Sequence, residues 1–195
     1  CSTDGTREIL LKRCKHLIND LIFHDKNLGK GAAIKSAQKK INGNLVIIQD
    51  ADLEYDPSDY SNLIKPIKDN AYKVVYGSRV LGKNRYKAKN FTSIIRVFAN
   101  HILTIFSNII NSQSLTDAHT CYKLFSSDLF MKIKLEENGF NFCPEITTKL
   151  SNLNIEIIEI PISYNGRSYD EGKKIGFYDG IEALITILKY KLFKK

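Results

Sequence analysis

The densest chemistry in the chain is the carboxylate run Asp50-Ala51-Asp52-Leu53-Glu54, which directly follows the apolar run Leu45-Val46-Ile47-Ile48. A short continuous apolar run predicts a strand buried on both faces. Ligand sites in open α/β sheets lie beyond the carboxyl ends of strands, so the acidic run stands where a ligand would bind. In extended backbone, alternate side chains share a face and sit roughly 7 Å apart. That spacing aims Asp50, Asp52 and Glu54 to one side, where three like charges repel unless a cation joins them. Hard cations such as Mg²⁺ or Mn²⁺ prefer these oxygens and often hold a diphosphate as well. The competing interpretation is a solvated acidic turn before the helix that Asp56-Pro57 begins.

Four other segments carry candidate site groups, three of them with cations or backbone N–H groups suited to an anionic ligand. Gly77-Ser78-Arg79 follows a second strand signal, and an arginine fork suits bidentate phosphate binding; a structural salt bridge is its alternative. Gly29-Lys30-Gly31 opens a helix, where backbone N–H groups can face a phosphate, although the glycines can equally serve a tight turn. Lys30 is a candidate contact in either case. Thr116-Asp117 precedes a strand in a polar stretch, and its aspartate either works in a site or caps a neighbouring backbone N–H. Residues 165–174 are polar with two glycines and carry Arg167 and Lys173, a composition expected of a mobile lid. Glu145 sits at a predicted helix start, where it complements the helix dipole.

These groups need a scaffold, and alternating strand and helix signals supply one. They predict a single α/β domain over 1–195, with a mostly parallel central sheet flanked by helices. Strands are expected at 17–23, 45–48, 73–76, 122–125 and 155–160. Helices are expected at 6–14, from 29 to about 40, from 56, at 91–110 and around 181–188. The 91–110 segment places Ile95, Phe98, Ile102, Ile105 and Ile109 at helical spacing, interrupted by Arg96, Asn100, His101 and Asn108. A spanning helix needs about 20 mostly apolar residues, so a buried or membrane-surface amphipathic helix is expected instead.

The chain has 195 residues, 43% hydrophobic and 26% charged, enough for one domain with a real core. Its formal net charge of +8 favours an anionic partner. Nucleic acid is set aside because no helix-turn-helix, aromatic RNA motif or zinc finger accompanies the charge. Cys1, Cys14, Cys121 and Cys143 form no CxxC pair, which suits free thiols in a reducing compartment. The four histidines are scattered without metal-ligand spacing.

Taken in order, the motifs resemble glycosyltransferase family 2, in the branch of dolichyl-phosphate mannose synthases and bacterial polyprenyl-phosphate glycosyltransferases. They begin with Ser2-Thr3-Asp4-Gly5-Thr6, Asn27-Leu28-Gly29-Lys30-Gly31, Gln49-Asp50-Ala51-Asp52-Leu53-Glu54-Tyr55-Asp56-Pro57 and Tyr76-Gly77-Ser78-Arg79. Leu115-Thr116-Asp117, Thr120-Cys121-Tyr122-Lys123, Pro144-Glu145-Ile146-Thr147, Ile160-Pro161-Ile162-Ser163-Tyr164, Arg167 and Glu171-Gly172-Lys173-Lys174-Ile175 follow. The resemblance implies a GT-A (Rossmann-like) nucleotide-diphospho-sugar transferase fold. It implies that Asp50, Ala51 and Asp52 meet the donor, that Asp50 and Asp52 hold Mg²⁺ or Mn²⁺ with Glu54 as a further ligand, and that Arg79, Arg167, Lys173 and Lys30 contact the donor. It places Asp117 on the acceptor side of the reaction centre, so Asp52 and Asp117 are the catalytic candidates.

The implied reaction is inverting transfer of a hexose, mannose from GDP-mannose or glucose from UDP-glucose, to a polyprenyl phosphate. Such an acceptor keeps its tail in a bilayer, which implies peripheral contact at the cytoplasmic face of a membrane through residues 91–110 and the Lys-rich C-terminus. The family also has a first strand, a Pro-x-Tyr-Asn-Glu motif and a pair of aspartates ahead of the position of Cys1. On that comparison the chain is expected to be N-terminally incomplete. A non-catalytic nucleotide-sugar-binding domain is therefore the second reading.

Overall fold

The structure is a computed structural model and describes residues 1–83, 91–166 and 177–193. Helix α1 (Thr6–Ile9) continues through a π turn at Leu10–Cys14 and a 3-10 turn at Lys15–Leu17. Helix α2 (Lys30–Gln38) and strand β1 (Leu45–Ile47) follow. Asp56 then accepts the Ser58 N–H at 2.9 Å and caps a 3-10 turn (Pro57–Asp59) that leads into α3 (Tyr60–Lys68). An aspartate cap with proline in the first turn is the start the sequence predicts.

Strand β2 (Val74–Ser78) is buried along its whole length. Helix α4 (Phe91–Asn111), strand β3 (Lys123–Ser126), α5 (Ser127–Lys132), α6 (Phe142–Asn152), β4 (Ile158–Pro161) and α7 (Phe177–Leu192) complete the order. The sheet runs β1-β3-β2-β4. β3 is antiparallel to both β1 and β2, whereas β2 and β4 are parallel. Three of the four strands therefore share one direction, as the alternating pattern predicts. The mixed pairing arises because β3 enters between β1 and β2 from the opposite end.

Leu63 and Ile67 of α3, one turn apart, bury against β2. Tyr76, Phe125, Phe130 and Phe142 fill the core, with Tyr76 OH bonded to Thr147 Oγ1 of α6 at 3.0 Å. Helix α7 packs on α4 and α6.

One expected element is absent. Residues 18–24 form no strand, and Leu17 and Ile22 are 75% and 43% exposed. β1 is the edge of the described sheet and pairs with β3 alone. Without a ladder partner, an apolar run does not hold strand geometry.

Candidate functional site

The polypeptide leaves β1 at Ile47, and Ile48 keeps its alignment by donating its N–H to the Lys123 carbonyl at 3.1 Å. Gln49 then fixes the exit. Its Oε1 accepts the hydroxyls of Tyr60 (2.8 Å) and Tyr122 (2.6 Å), and its Nε2 donates to the Asp50 carbonyl at 2.7 Å. Asp50 meets Lys30 from the first turn of α2, with Nζ at 2.6 Å from Oδ1 and 2.8 Å from Oδ2. The same Nζ lies 3.3 Å from Cys121 Sγ. Burial works against the Lys30 ammonium, but the Cys143 and Cys121 sulfurs and the Asp50 carboxylate outweigh it and raise its pKa. Burial pushes the Cys121 thiol up to about 12, so it stays protonated at neutral pH.

Residues 51–54 bend and turn, and this redistributes the carboxylates. Ala51 is exposed, Asp52 Oδ1 accepts the Glu54 N–H at 3.2 Å, and Leu53 is 94% exposed. Glu54 turns inward. Its side chain is buried and Oε2 accepts the Tyr164 hydroxyl at 2.9 Å, while its carbonyl accepts the Asn165 N–H at 2.8 Å. Alternate side chains share a face only while backbone stays extended. Here it does not, and the described residues contain no group of three or more His, Cys, Asp or Glu arranged to hold a metal. What remains for a divalent ion is the pair Asp50 and Asp52. That donor set could take Mg²⁺ or Mn²⁺ sharing its shell with substrate phosphates and water, with the ion displacing the Lys30 ammonium from Asp50, whereas Glu54 is buried and engaged by Tyr164.

Arg79 leaves the end of β2 and grips Asp117 through both arms: Nε to Oδ2 and Nη2 to Oδ1, each 2.7 Å. The Arg79 backbone N–H adds a third bond to Oδ2 at 3.1 Å. Asp117 is buried, yet its carboxyl pKa is lowered, because Arg79 outweighs the effect of burial. The guanidinium carbon stands 5.1 Å from the centre of the Tyr164 ring, within cation–π range. Tyr164 thus touches both Glu54 and Arg79, and its neighbour Tyr55 stacks edge-on at 5.2 Å. A cavity of about 330 Å³ opens beside them, between 53–57 and 163–165.

Residues far apart in sequence are thus joined. Asp50 with Lys30 forms one cluster, and Arg79 with Asp117 forms a second, connected through Tyr164 and Glu54 to the acidic turn. The glycines beside Lys30 act structurally. The Gly31 and Ala32 N–H groups donate to the Gly139 and Asn138 carbonyls at 3.3 and 3.0 Å. A Cβ on Gly29 or Gly31 would lie 2.5 or 2.4 Å from the carbonyl oxygens of Asn138 and Glu137. Close backbone approach, not a phosphate cradle, accounts for both. Glu145 also has a local role, accepting the Glu136 and Glu137 N–H groups at 2.6 and 3.0 Å. Arg167 and Lys173 lie outside the described residues.

Gln49 and Glu159 also shape the site, although neither was a candidate site residue: Gln49 stood in the motif only as the neighbour of Asp50, and Glu159 stood outside every motif. The available signal for Glu159 was its place as one of two carboxylates, with Glu156, in the otherwise apolar run 155–160. For Gln49 it was adjacency to Asp50.

Comparison with known proteins bears on what such a site does. The description "Glycosyl transferase family 2" matches residues 1–134. The chain is 26% identical over 200 residues to the dolichyl-phosphate beta-glucosyltransferase ALG5D of Trichomonas vaginalis, covering 98% of this chain and 59% of that protein. It is 26% identical over 179 residues to the low-salt glycan biosynthesis hexosyltransferase Agl6 of Haloferax volcanii, covering 92% and 41%. The chain therefore spans 59% and 41% of the lengths of these two relatives. Among solved structures, glucosyl-3-phosphoglycerate synthase of Mycobacterium tuberculosis matches with a TM-score of 0.69 at 12% identity, covering 100% of this chain and 68% of that one. The same enzyme with Mn²⁺, UDP-glucose and phosphoglyceric acid matches at 0.61 and 14% identity, covering 100% and 67%. This likeness establishes the GT-A fold.

Proposed function

The chain belongs to glycosyl transferase family 2, and from that premise we propose that it transfers a hexose from a nucleotide diphosphate sugar to a polyprenyl phosphate. The observation that carries this reading is the pair of carboxylates at the exit of β1, with the Lys30 ammonium 2.6 Å from the first of them. Carboxylates at a strand end would hold a diphosphate through a divalent cation, to which the Lys30 ammonium adds positive charge. Glucose from UDP-glucose is favoured over mannose from GDP-mannose by the names of the relatives and of the fold neighbour's ligand.

In the proposed reaction an acceptor phosphate oxygen attacks the anomeric carbon as the bond to the nucleoside diphosphate breaks, with inversion. A phosphate monoester has its second pKa near about 6, so the acceptor is mostly a dianion at neutral pH and needs no strong base. Asp117 then orients. Mg²⁺ or Mn²⁺ held by Asp50 and Asp52 would neutralise charge on the departing diphosphate. Lys30 adds a cation beside it, and Arg79 keeps N–H groups beyond the two that Asp117 takes. Arg167 and Lys173 are proposed to reach the diphosphate from the 165–174 segment.

The acceptor tail asks for a membrane. No helix of the described residues is long and apolar enough to cross one. Instead α4 exposes Ile95, Phe98, Ile102, Ile105 and Ile109, and α7, packed beside it, exposes Tyr178, Ile181, Ile185, Leu188 and Leu192. Two neighbouring apolar stripes of this kind suit peripheral seating at the cytoplasmic face of a membrane.

The test is a screen of labelled UDP- and GDP-sugars against polyprenyl phosphate with Mg²⁺ or Mn²⁺. Lipid-linked product from one donor is expected, and the Asp50→Asn, Asp52→Asn double variant should form none. Nucleotide-sugar binding with no product from any donor would overturn the transfer step.

A further inference from the structure

We propose that Glu159 is a positioning residue for the Arg79–Asp117 pair, an inference that rests on the transferase reading above. Glu159 lies on β4, opposite Tyr76 in the parallel β2–β4 register. From there its carboxylate reaches the turn that precedes β3. Oε2 accepts the Thr116 N–H at 2.6 Å and Oε1 accepts the Asp117 N–H at 2.8 Å. Successive backbone N–H groups converging on one anion form a small cradle, here filled by the protein's own side chain.

The turn needs that anion. Leu115, Asp117 and Ala118 are all buried, and buried amide donors must find acceptors. Ser78, the last residue of β2, steadies the same turn through a 2.7 Å contact between its Oγ and Thr116 Oγ1. The turn is thus clamped between Ser78 at the end of β2 and Glu159 within β4. Glu159 fixes its backbone, and Arg79 fixes the Asp117 carboxylate. Rotation of the Thr116–Asp117 peptide would carry that carboxylate off the guanidinium fork. The remaining Arg79 N–H groups would then lose their heading.

The role is specific to a carboxylate. Two N–H donors face two acceptor oxygens. Glutamine offers one oxygen and sets its NH₂ against the second N–H. Aspartate restores both acceptors one methylene short.

The test compares wild type, Glu159→Gln and Glu159→Asp in the full chain. Three quantities are read: amide hydrogen exchange at Thr116 and Asp117, donor affinity by calorimetry with UDP-glucose, and kcat with polyprenyl phosphate. In Glu159→Gln the two amides should exchange faster by about tenfold or more. Its kcat should fall by about tenfold to a hundredfold and its donor Kd should weaken by a smaller factor, as expected when orienting and donor-contacting groups are misplaced rather than removed. Glu159→Asp should recover part of both losses, which a loss of global stability would not produce. Wild-type exchange at both amides in Glu159→Gln, or faster exchange with wild-type kcat, would overturn the inference. Should Glu159→Gln fail to fold, wild-type exchange at both amides in Glu159→Asp would overturn it instead. Exchange is read without turnover, so a wild-type chain that makes no product would defeat the functional reading separately.

Discussion

Arg79 and Asp117, 38 positions apart, form a bidentate ion pair with both N–O distances at 2.7 Å. The pair is buried, with side-chain exposures of 16% and 5%, so neither charge can fall back on water. Breaking such a pair from one side leaves the other charge uncompensated, at a cost of about 3–5 kcal/mol. Asp117→Asn should therefore lower stability by that order in urea denaturation. Arg79→Lys should not restore it, because an ammonium cannot supply the two-armed fork. A loss under about 1 kcal/mol in Asp117→Asn would show the pair to be solvated, as exposed pairs are.

Acid sensitivity should come in two windows. Burial holds the His119 imidazole pKa down to about 4, helped by the nearby Lys123 ammonium. The unfolded chain, with an ordinary value near about 6.5, binds the proton first as pH falls. Stability should thus drop between about pH 6.5 and 4, by on the order of 3 kcal/mol. Asp117 behaves differently. Its folded carboxyl pKa is lowered, so its contribution is present above the unfolded value and is lost only as pH falls below about 4. Urea midpoints for wild type and His119→Gln between pH 7 and 4 test this. The variant should show a flatter profile in the upper window and the same fall below it.

Gly29→Ala and Gly31→Ala should each destabilise by about 1–3 kcal/mol, through contact with fixed backbone. Gly29 has a second reason in its positive φ of 90°. Gly5 has a similar φ of 83° but open space around it, so Gly5→Ala isolates the conformational part, about 1 kcal/mol. Denaturant midpoints should rank Gly5→Ala as the mildest of the three. If Gly31→Ala proved harmless, the close approach of α2 to residues 137–139 would be wrong.

Membrane seating is testable without turnover. Wild type should float with liposomes containing anionic lipid. An Ile102→Ser, Ile105→Ser, Ile185→Ser triple variant should lose about tenfold or more in partitioning, since each exposed aliphatic side chain contributes on the order of 1–2 kcal/mol on burial. Equal flotation of the two proteins would remove α4 and α7 from the contact.

The alternation of strand and helix signals already carried the fold class, because strand and helix periodicities are local properties of side-chain sequence. The apolar run Leu45–Ile48 and the acidic run from Asp50 marked a candidate site, and Gly77-Ser78-Arg79 and Thr116-Asp117 were visible as candidates one at a time. Only the tertiary structure decided which of them meet. Arg79 joins Asp117 because β2 and the turn before β3 end side by side, a fact of sheet order that no local pattern encodes. The same holds for residues 17–23, which read as a strand yet find no ladder partner. Glu54 was separated from Asp50 and Asp52 by a turn at 51–54, and a period-two count cannot foresee where extended backbone stops. Side-chain direction follows backbone dihedrals and distant contacts. The sequence therefore determined which chemistry the chain carries, and the packing of its elements decided how those groups are aimed.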